Sequence, residues 1–430
     1  MLQSAFKSIT KIEKRFISDN AFNHQVATYA RPSSIIVTSG KNVTLHDSIN
    51  DKSYLDFTAG IAVTSLGHNN AEIAKIIAKQ VSNENGLIHS SNLYYNQESL
   101  ELAELMVKKT KASGSMHDAE RVFFCNSGTE ANEAAIKFAI KYKHEKNPSP
   151  STEKVKFLAF QNSFHGRTMG ALSVTYNSKY RAPFQSALMD VEFLSLSEID
   201  TLSKKLDADS SIAGVIIEPI QGEGGVFPVP AESLISLKKQ LSKHDIPLIY
   251  DEIQCGIGRS GKLWAHAHSG SEAHPDIITC AKALGNGYPI GAVIISDKIN
   301  HSIKVGDHGT TFGGNALGCA VGKYVINTIA DDKFLAEVTK KGNYLKELLN
   351  EKFVKKHPDV CNEVRGMGLM LGLDFKESPS KLVQKCQENG LLVITAGKST
   401  VRFVPALTIT KEEINHGLTI FTKCFNEIYS

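Results

Sequence analysis

Between about residues 120 and 300, short apolar runs alternate with longer segments that have the pattern of helices. Seven of these runs are rich in β-branched and aromatic residues: RVFFC, KVKFLAF, VEFLSL, SIAGVIIEP, DIPLIYDE, DIITC and GAVIIS. Parallel strands need long crossover connections, which are usually helices, and strands covered on both faces are apolar throughout. The alternation therefore predicts an α/β fold in which helices cover a mostly parallel sheet.

The segments on either side of this region predict a smaller α+β domain. Long helical patterns fill residues 316–357, and the strand-like runs VRGMGLMLGLDF, LLVITAG and STVRFVPALTI follow. Near the N-terminus, VTLHDSINDKSYLDF has the pattern of two strands joined by a turn. We expect four segments along the chain: a presequence, 1–18; an N-terminal segment that packs with the small domain, 19–75; a large domain, 76–327; and the small C-terminal domain, 328–430.

Composition excludes several classes of function. Lys and Arg total 48 against 45 Asp and Glu, so the net charge of +3 gives no broad attraction to nucleic acid or to an anionic membrane. The seven cysteines are scattered without a CxxC pair, which argues against a disulfide framework and a zinc site. No run approaches the roughly 18 apolar residues of a membrane-spanning helix. We expect a soluble protein with no metal, nucleic-acid or membrane partner.

The first eighteen residues, MLQSAFKSITKIEKRFIS, carry four basic side chains and one acidic side chain. Their apolar residues recur at nearly helical spacing, and serine is present. A basic, amphipathic segment poor in acid is typical of a mitochondrial import signal, and it predicts a location in the mitochondrial matrix. A basic surface helix is the alternative interpretation.

The string RVFFCNSGTEANEAAIKFA predicts a strand that turns directly into a helix. Ser127 and Glu130 fit a capping box, while Gly128 and Thr129 stand in the first turn. Free backbone amides at a helix start, a glycine and a hydroxyl together suit a phosphate group. A plain helix cap explains the same residues, so this turn alone leaves both readings open.

Asp251 and Lys282 each follow an apolar strand, where open α/β sheets bind their ligands. The loop GIGRSGK, which follows Asp251, imitates a nucleotide-binding loop, but Leu263 stands where such loops need Ser or Thr. A lysine among apolar neighbours has a lowered pKa and suits imine formation, although a lysine reaching solvent is the simpler reading. The carboxylate of Asp251, the amine of Lys282 and the phosphate turn are together the groups needed to bind a pyridine that carries an aldehyde and a phosphate arm.

Six strings extend this combination over most of the chain: SGTEA, NSFHGRT, EPIQGEGG, DEIQCGIGRSGK, AKALGNGYPIGA and HGTTFGGN. By these strings the chain resembles the class III aminotransferases, in particular the ornithine and acetylornithine group. The resemblance implies a fold-type I transferase that depends on pyridoxal 5'-phosphate, with a large domain around a mostly parallel seven-stranded sheet and a smaller α+β domain. It also implies a homodimer with shared active sites.

The resemblance further implies which residues bind the cofactor. Lys282 would carry it as a Schiff base, and Asp251 would keep the pyridine nitrogen protonated, so these two are the expected catalytic residues. Ser127, Gly128 and Thr129, in the phosphate turn, would bind the phosphate of the cofactor. Phe164 and Ile253 would contact the two faces of the ring, and Gln254 would contact its phenolic oxygen. Thr311 would reach the phosphate bound by the neighbouring subunit of the dimer. Cys255 departs from the threonine that the family often has, and we expect little effect.

By the same resemblance, the reaction moves the δ-amino group of N2-acetyl-L-ornithine to 2-oxoglutarate. Glu223 and Arg402 would form a switchable ion pair, although a loop acid and a surface arginine are the plain readings. Ile61 stands where ornithine aminotransferases tend to have tyrosine, which favours an acylated donor. Ornithine, 4-aminobutyrate and succinylornithine remain alternative donors, and a non-catalytic binding protein or an aminomutase is an alternative class. The expected substrate contacts are Tyr29, Arg167, Glu223, Thr310 and Arg402.

Overall fold

A computed structural model of the protein describes residues 24–32, 35–82, 86–146 and 154–429. The predicted presequence lies outside the described residues. The centre of the fold is a seven-stranded sheet, and each of the seven apolar runs forms one of its strands. In spatial order the strands are Ala119–Cys125, Gly291–Ser296, Ile277–Cys280, Leu248–Asp251, Ile212–Ile217, Lys156–Phe160 and Asp190–Leu194.

This sheet is mostly parallel, as the sequence predicts. Strand Gly291–Ser296 runs antiparallel to both of its neighbours, and the pairings among the remaining strands are parallel. Parallel strands present their carboxyl ends at one edge of a sheet. Asp251 pairs with Thr279 in the register of two such strands, so the segments that follow them begin side by side.

Alternate residues of one strand enter separate cores on the two faces of the sheet. Phe157 belongs to a core that includes the helix Gly128–Lys146. Leu158, the next residue, belongs to the opposite core, which includes helices Leu202–Ala208 and Ala231–Lys243. Because helices cover both faces, inner strands such as Ile212–Ile217 and Gly291–Ser296 have no polar side, which explains why they are apolar throughout. The edge strands Ala119–Cys125 and Asp190–Leu194 keep charged residues that are partly exposed.

The remaining strands form smaller sheets. A four-stranded sheet joins the N-terminal and C-terminal parts of the chain, because Leu391–Leu392 pairs in parallel with Leu55 and Asp56. Its strands are Ser39–Lys41, Thr44–Asp47, Lys52–Asp56 and Leu391–Leu392. A second is antiparallel and contains Cys361–Met367, Met370–Phe375, Thr400–Phe403 and Ile394–Ala396. A short pair is formed by Ile220–Gln221 and Phe227–Pro228.

The α-helices surround these sheets. In addition to those named above, they are Ala71–Val81, Gln97–Ala112, Met169–Ser173, Ser178–Arg181, Asp297–Ser302, Ala316–Ile329, Asp332–Leu349, Ser380–Glu388 and Lys411–Tyr429. The 3₁₀-helices are Ala182–Ala187, Leu196–Thr201, Ala265–Ser269, Ser271–Ala273 and Lys282–Gly285, and Asn350–Val354 is a turn of π-helix. Within the described residues, no helix combines the length and apolar character that a membrane crossing requires.

The domain boundaries predicted from the sequence stay predictions. The boundary at residue 327 falls inside the helix Ala316–Ile329, so the chain passes from one proposed domain to the next without an irregular linker. Helix Asp332–Leu349 follows after two residues. We propose the division at residues 75 and 327 as a working description of the fold.

One turn departs from ordinary backbone geometry. Ala59, Gly60, Ile61 and Ala62 all have positive φ, between 46° and 65°, and together form a single left-handed turn. Left-handed turns cost L-residues about 1–2 kcal/mol each, and a β-branched residue such as Ile61 is a rare occupant. The turn follows Asp56, whose carboxylate accepts hydrogen bonds from the amides of Thr58 and Ala59. These bonds hold the entry to the turn.

A close contact between a helix and a hairpin fixes the antiparallel sheet that contains Cys361–Met367 and Met370–Phe375 against the helix Asp332–Leu349. Gly342, in this helix, faces the turn that joins these two strands. A β-carbon at this position would lie 2.2 Å from the carbonyl oxygen of Gly368 and 2.6 Å from its α-carbon. Backbone atoms cannot move aside as a side-chain end can, so only glycine fits.

We therefore predict that Gly342→Ala destabilises the protein by about 2 kcal/mol or more, because overpacking outweighs the gain in helix propensity. The free energy of unfolding, measured in denaturant, checks this. Lys340→Ala is the matched control on the same helix: its partner is Glu337, the side chains are 68% and 55% exposed, and the expected change is within about 0.5 kcal/mol. Equal stability of the two variants would contradict the contact.

Candidate active site

A cavity of about 350 Å³ opens at the carboxyl edge of the central sheet. Nine of the predicted site residues line it, and they come from four separate stretches of the chain. These residues are Ser127, Gly128, Thr129, Phe164, Arg167, Asp251, Ile253, Gln254 and Lys282. The sheet brings them together because the loops that follow its strands meet at this edge.

The predicted phosphate turn is a tight strand-to-helix connection. The Ser127 hydroxyl accepts a hydrogen bond from the amide of Glu130 at 3.3 Å, but the Glu130 carboxylate reaches the amide of Asn126 at 2.7 Å, one residue before the position of a capping box. A β-carbon on Gly128 would lie 2.7 Å from the side chain of Ile253. Glycine therefore allows the helix start to approach the wall that carries Ile253.

The hydroxyl of Thr129 connects this helix start to the next loop. Its Oγ1 accepts hydrogen bonds from the amides of Arg167 and Thr168, each at 3.2 Å. A β-carbon on Gly166, where φ is +139°, would lie 2.3 Å from the same oxygen. Glycine at position 166 is therefore required for the loop to reach Thr129.

Asp251 is a buried carboxylate with a full set of donors. Its Oδ2 accepts hydrogen bonds from Asn132 Nδ2 and His165 Nδ1, both at 2.8 Å, and its Oδ1 accepts one from the amide of Ile253 at 3.0 Å. The side chain is only 3% exposed. Three donors compensate the loss of water around a buried polar group and fix the direction of this carboxylate.

Sequence reasoning missed three residues around Asp251. Asn132, on the helix Gly128–Lys146, also accepts a hydrogen bond from Thr279, and it stands among alanines on an apolar face, which was the available signal. The Nε2 atom of His165 is buried and has no hydrogen-bond partner among the described residues. Glu218 accepts bonds from the amides of Phe164 and Gly222, at 2.8 and 3.0 Å. Burial raises the pKa of the Glu218 carboxyl to about 7, and His165 opposes this rise.

Lys282 follows the strand beside Asp251 and begins a 3₁₀-turn with a positive φ of 41°. Burial lowers the pKa of its ammonium group to about 8, and the nearby Glu223 carboxylate acts in the opposite direction. A lysine in this setting has a substantial neutral fraction near pH 8 and can act as a nucleophile and a base.

Glu223 and Arg402 form the ion pair that the family resemblance implies. Arg402 Nη1 donates to Glu223 Oε1 and to Gln254 Oε1, each at 2.8 Å, and Arg402 is 1% exposed. Burial favours a higher pKa for Glu223, but the Arg402 guanidinium with its hydrogen bond, the charge of Lys282 and the hydrogen bond from Gln254 together outweigh burial, and the pKa is lowered. Neither Glu223 nor Arg402 lines the cavity itself. Gln254, which accepts the hydrogen bond from Arg402, does line it.

The remaining predicted residues have different surroundings. Arg167 is exposed, and its guanidinium carbon lies 3.4 Å from the ring centroid of Tyr180. Thr310 is outside the cavity wall, but its hydroxyl accepts a hydrogen bond from Asn126 at 3.0 Å. Thr311 and Tyr29 are exposed and do not line the cavity in this chain. The roles predicted for these four residues, like those of the residues that line the cavity, stay predictions.

Comparison with known proteins identifies the family. Residues 26–425 match the model described as aminotransferase class III. The chain belongs to the class III aminotransferases. Enzymes of this family depend in general on pyridoxal phosphate and act on small molecules. The predicted fold-type I architecture is confirmed for this class III aminotransferase.

Individual relatives agree with this assignment. The mitochondrial acetylornithine aminotransferase of Saccharomyces cerevisiae is 56% identical over 97% of this chain and 97% of its own length. The protein of that name from Candida glabrata is 54% identical, over 99% of this chain and 98% of its own length. Among solved structures, the ornithine aminotransferase of Toxoplasma gondii has a TM-score of 0.86 at 29% identity, covering 99% of this chain and 98% of that one.

The pKa of Lys282 gives a direct test of this site. We predict that, in the cofactor-free protein, acylation of Lys282 by acetic anhydride rises with pH through about 8, because the neutral amine is the reactive form. Glu223→Gln removes a negative charge that stabilises the ammonium group, so its inflection moves to lower pH. Peptide mass spectrometry over a pH series gives the profile.

Lys75 is an internal control in the same experiment. It is exposed, and its hydrogen bond with Glu72 raises its pKa above 10.5. Its labelling should therefore inflect at much higher pH than that of Lys282. Coincident profiles for the two lysines would show that the cavity does not perturb Lys282.

Proposed function

We propose that this aminotransferase moves the δ-amino group of N2-acetyl-L-ornithine to 2-oxoglutarate, giving N-acetyl-L-glutamate 5-semialdehyde and L-glutamate, as a reversible step of arginine biosynthesis. The observation that carries the proposal is the ion pair of Glu223 with the buried Arg402, beside Lys282, in a chain 56% identical to a yeast acetylornithine aminotransferase. The mitochondrial names of the relatives and the basic first eighteen residues support a location in the mitochondrial matrix.

The cavity residues fit pyridoxal 5'-phosphate as the cofactor. Gly128, where a side chain would collide with Ile253, leaves the amides at the helix start accessible to a phosphate group. Asp251 offers a buried carboxylate that suits a protonated ring nitrogen, and Lys282 offers an amine with a pKa of about 8. When bound, the cofactor supplies an aldehyde that condenses with amines and a ring that accepts electrons.

Each wall of the cavity would hold one part of this group. Ser127, Gly128 and Thr129 would bind the phosphate, and Asp251 the ring nitrogen. Phe164 and Ile253 would contact the two faces of the ring, and Gln254 its phenolic oxygen. All of these side chains line the same cavity, which supports the division of roles.

Lys282 would also transfer the proton on which the reaction depends. Its Nζ, once exchanged for the amine of the donor, would take the proton from the donor δ-carbon as a general base and deliver it, as a general acid, to the carbon that was the aldehyde carbon of the cofactor. A pKa of about 8 lies close to the operating pH, which is the condition for both directions of transfer. The buried setting keeps this pKa low.

The Glu223–Arg402 pair would sort two substrates of different length. With the amine donor bound, Glu223 neutralises Arg402. With glutamate or 2-oxoglutarate bound, Arg402 would hold the α-carboxylate, and Arg167 would hold the side-chain carboxylate of this substrate or the α-carboxylate of the donor. Arg167 is exposed at the cavity and stacked on Tyr180, so its guanidinium is accessible to a ligand.

The choice of an acylated donor rests on the wall near the left-handed turn. Ile61 is aliphatic and 41% exposed, and Val63, two residues later, lines the cavity. Neither side chain offers a hydrogen-bond partner to a free α-ammonium group. Tyr29 and Thr310 complete the proposed substrate contacts; Thr310 is linked to the cavity through Asn126.

We further propose a homodimer with shared active sites. Leu93, Tyr94, Tyr95 and Phe312 are all exposed. Their segments lie together, since Asn92 donates a hydrogen bond to the carbonyl of Thr310 at 2.5 Å and His89 contacts the ring of Phe312. A large exposed patch of aromatic residues is typical of an interface. In this arrangement Thr311 would reach the phosphate bound by the neighbouring subunit.

The half-reactions test the proposed function. We predict that N2-acetylornithine bleaches the absorbance of the lysine-bound cofactor and that 2-oxoglutarate restores it. Lys282→Ala should lower turnover by about 10³-fold or more, because it removes the general base, while circular dichroism stays unchanged. Lys75→Ala, at an exposed position, should keep full activity. A spectrum that does not respond to the donor would refute transamination.

A competition assay tests the identity of the donor. We predict that acetylornithine is preferred to ornithine by about tenfold or more in kcat/KM, because neither Ile61 nor Val63 offers a hydrogen-bond partner to the free α-ammonium. Ile61→Tyr should shift this preference toward ornithine. Equal use of the two donors by the natural enzyme would contradict the proposed substrate.

A further inference from the structure

Arg259 is a buried arginine that the proposed reaction does not use. It is 1% exposed, and no carboxylate of the described residues forms an ion pair with it. Burial lowers the pKa of its guanidinium to about 9. A buried charge without a counter-ion is costly, so a residue of this kind needs another reason to be present.

The guanidinium joins three distant segments of the chain. Its Nη1 donates to the carbonyl oxygens of Leu369, at 3.1 Å, and Pro405, and its Nη2 donates to the Ser65 hydroxyl at 3.1 Å. The backbone adds to this junction, since the amide of Leu369 donates to the Arg259 carbonyl and that of Leu407 to the Ser65 carbonyl. Only a planar fork of several donors can serve such divergent acceptors at once.

The segments of Ser65 and Pro405, and that of Arg259 itself, also carry parts of the substrate site. Ser65 stands two residues after Val63, on the cavity wall. Pro405 stands three residues after Arg402, and Arg259 itself follows Gln254, which accepts a hydrogen bond from Arg402. The junction therefore lies behind the wall at Val63 on one side and the Arg402 strand on the other.

We propose that Arg259 is a positioning residue that fixes Arg402 relative to the Val63 wall and thereby sets the affinity for the dicarboxylate substrates. The inference rests on the proposed function, in which Arg402 binds the α-carboxylate of glutamate and 2-oxoglutarate. When acetylornithine is bound, Arg402 remains paired with Glu223. Loosening the junction should therefore affect one half-reaction more than the other.

The test measures both half-reactions separately with the holoenzyme. Arg259→Lys keeps the charge but loses the fork, and we expect KM for 2-oxoglutarate to rise by about tenfold, with kcat and the KM for acetylornithine changing by less than about threefold. Ser65→Ala removes only the link to the cavity wall and should give a smaller change of the same kind. It also keeps the test valid if Arg259→Lys folds poorly.

Lys341→Met is the matched control. Lys341 donates to the carbonyl of Leu407 at 2.9 Å, so its loss loosens the same segment without touching Ser65. We expect a lower Tm with unchanged KM values. If Arg259→Lys and Ser65→Ala behave like this control, the residue is only structural and the inference is wrong. If the natural enzyme converts neither substrate, the proposed function fails instead.

Discussion

The buried Asp251 carboxylate is the interaction on which the geometry of the cavity depends. Its three hydrogen bonds come from the phosphate-turn helix, from the loop after strand Lys156–Phe160 and from its own strand end. A carboxylate that lost one of these donors would carry an unsatisfied charge in a dry site, a cost of several kcal/mol. The three walls of the cavity are therefore fixed by one acid, and Lys282 reaches them from the neighbouring strand.

The ion pair between Glu223 and Arg402 has a different character. Burial makes such a pair a weak source of stability, but removing one partner leaves an uncompensated charge and costs roughly 3–5 kcal/mol. A pair of this kind is suited to exchange, because a substrate carboxylate can take the place of Glu223 beside the guanidinium. Glu223 is 33% exposed at its side chain while Arg402 is buried, so the acid is the partner that can move away.

The sequence predicts much of this structure because the signals are local. Seven apolar runs become the seven strands, and their carboxyl ends bring Asp251 and Lys282 together. Asn132, His165 and Glu218 were not predicted, since their importance depends on contacts with Asp251 or with loop amides far away in the chain. The hydrogen bond between the Glu130 carboxylate and the amide of Asn126 could not be predicted either. A capping box would place this bond on the amide of Ser127, and the shift by one residue is set by the backbone geometry of the turn. Arg259 was visible only as part of a misleading loop motif.

The left-handed turn at Ala59–Ala62 has a consequence for how this family changes during evolution. Ile61 is the position at which donor choice is expected to vary, yet it occupies a conformation that penalises every residue except glycine. A substitution there alters the substrate wall and the folding free energy in a single step. Divergence of specificity at this site therefore depends on a reserve of stability elsewhere in the fold, and close packing around residues such as Gly342 is one source of that reserve.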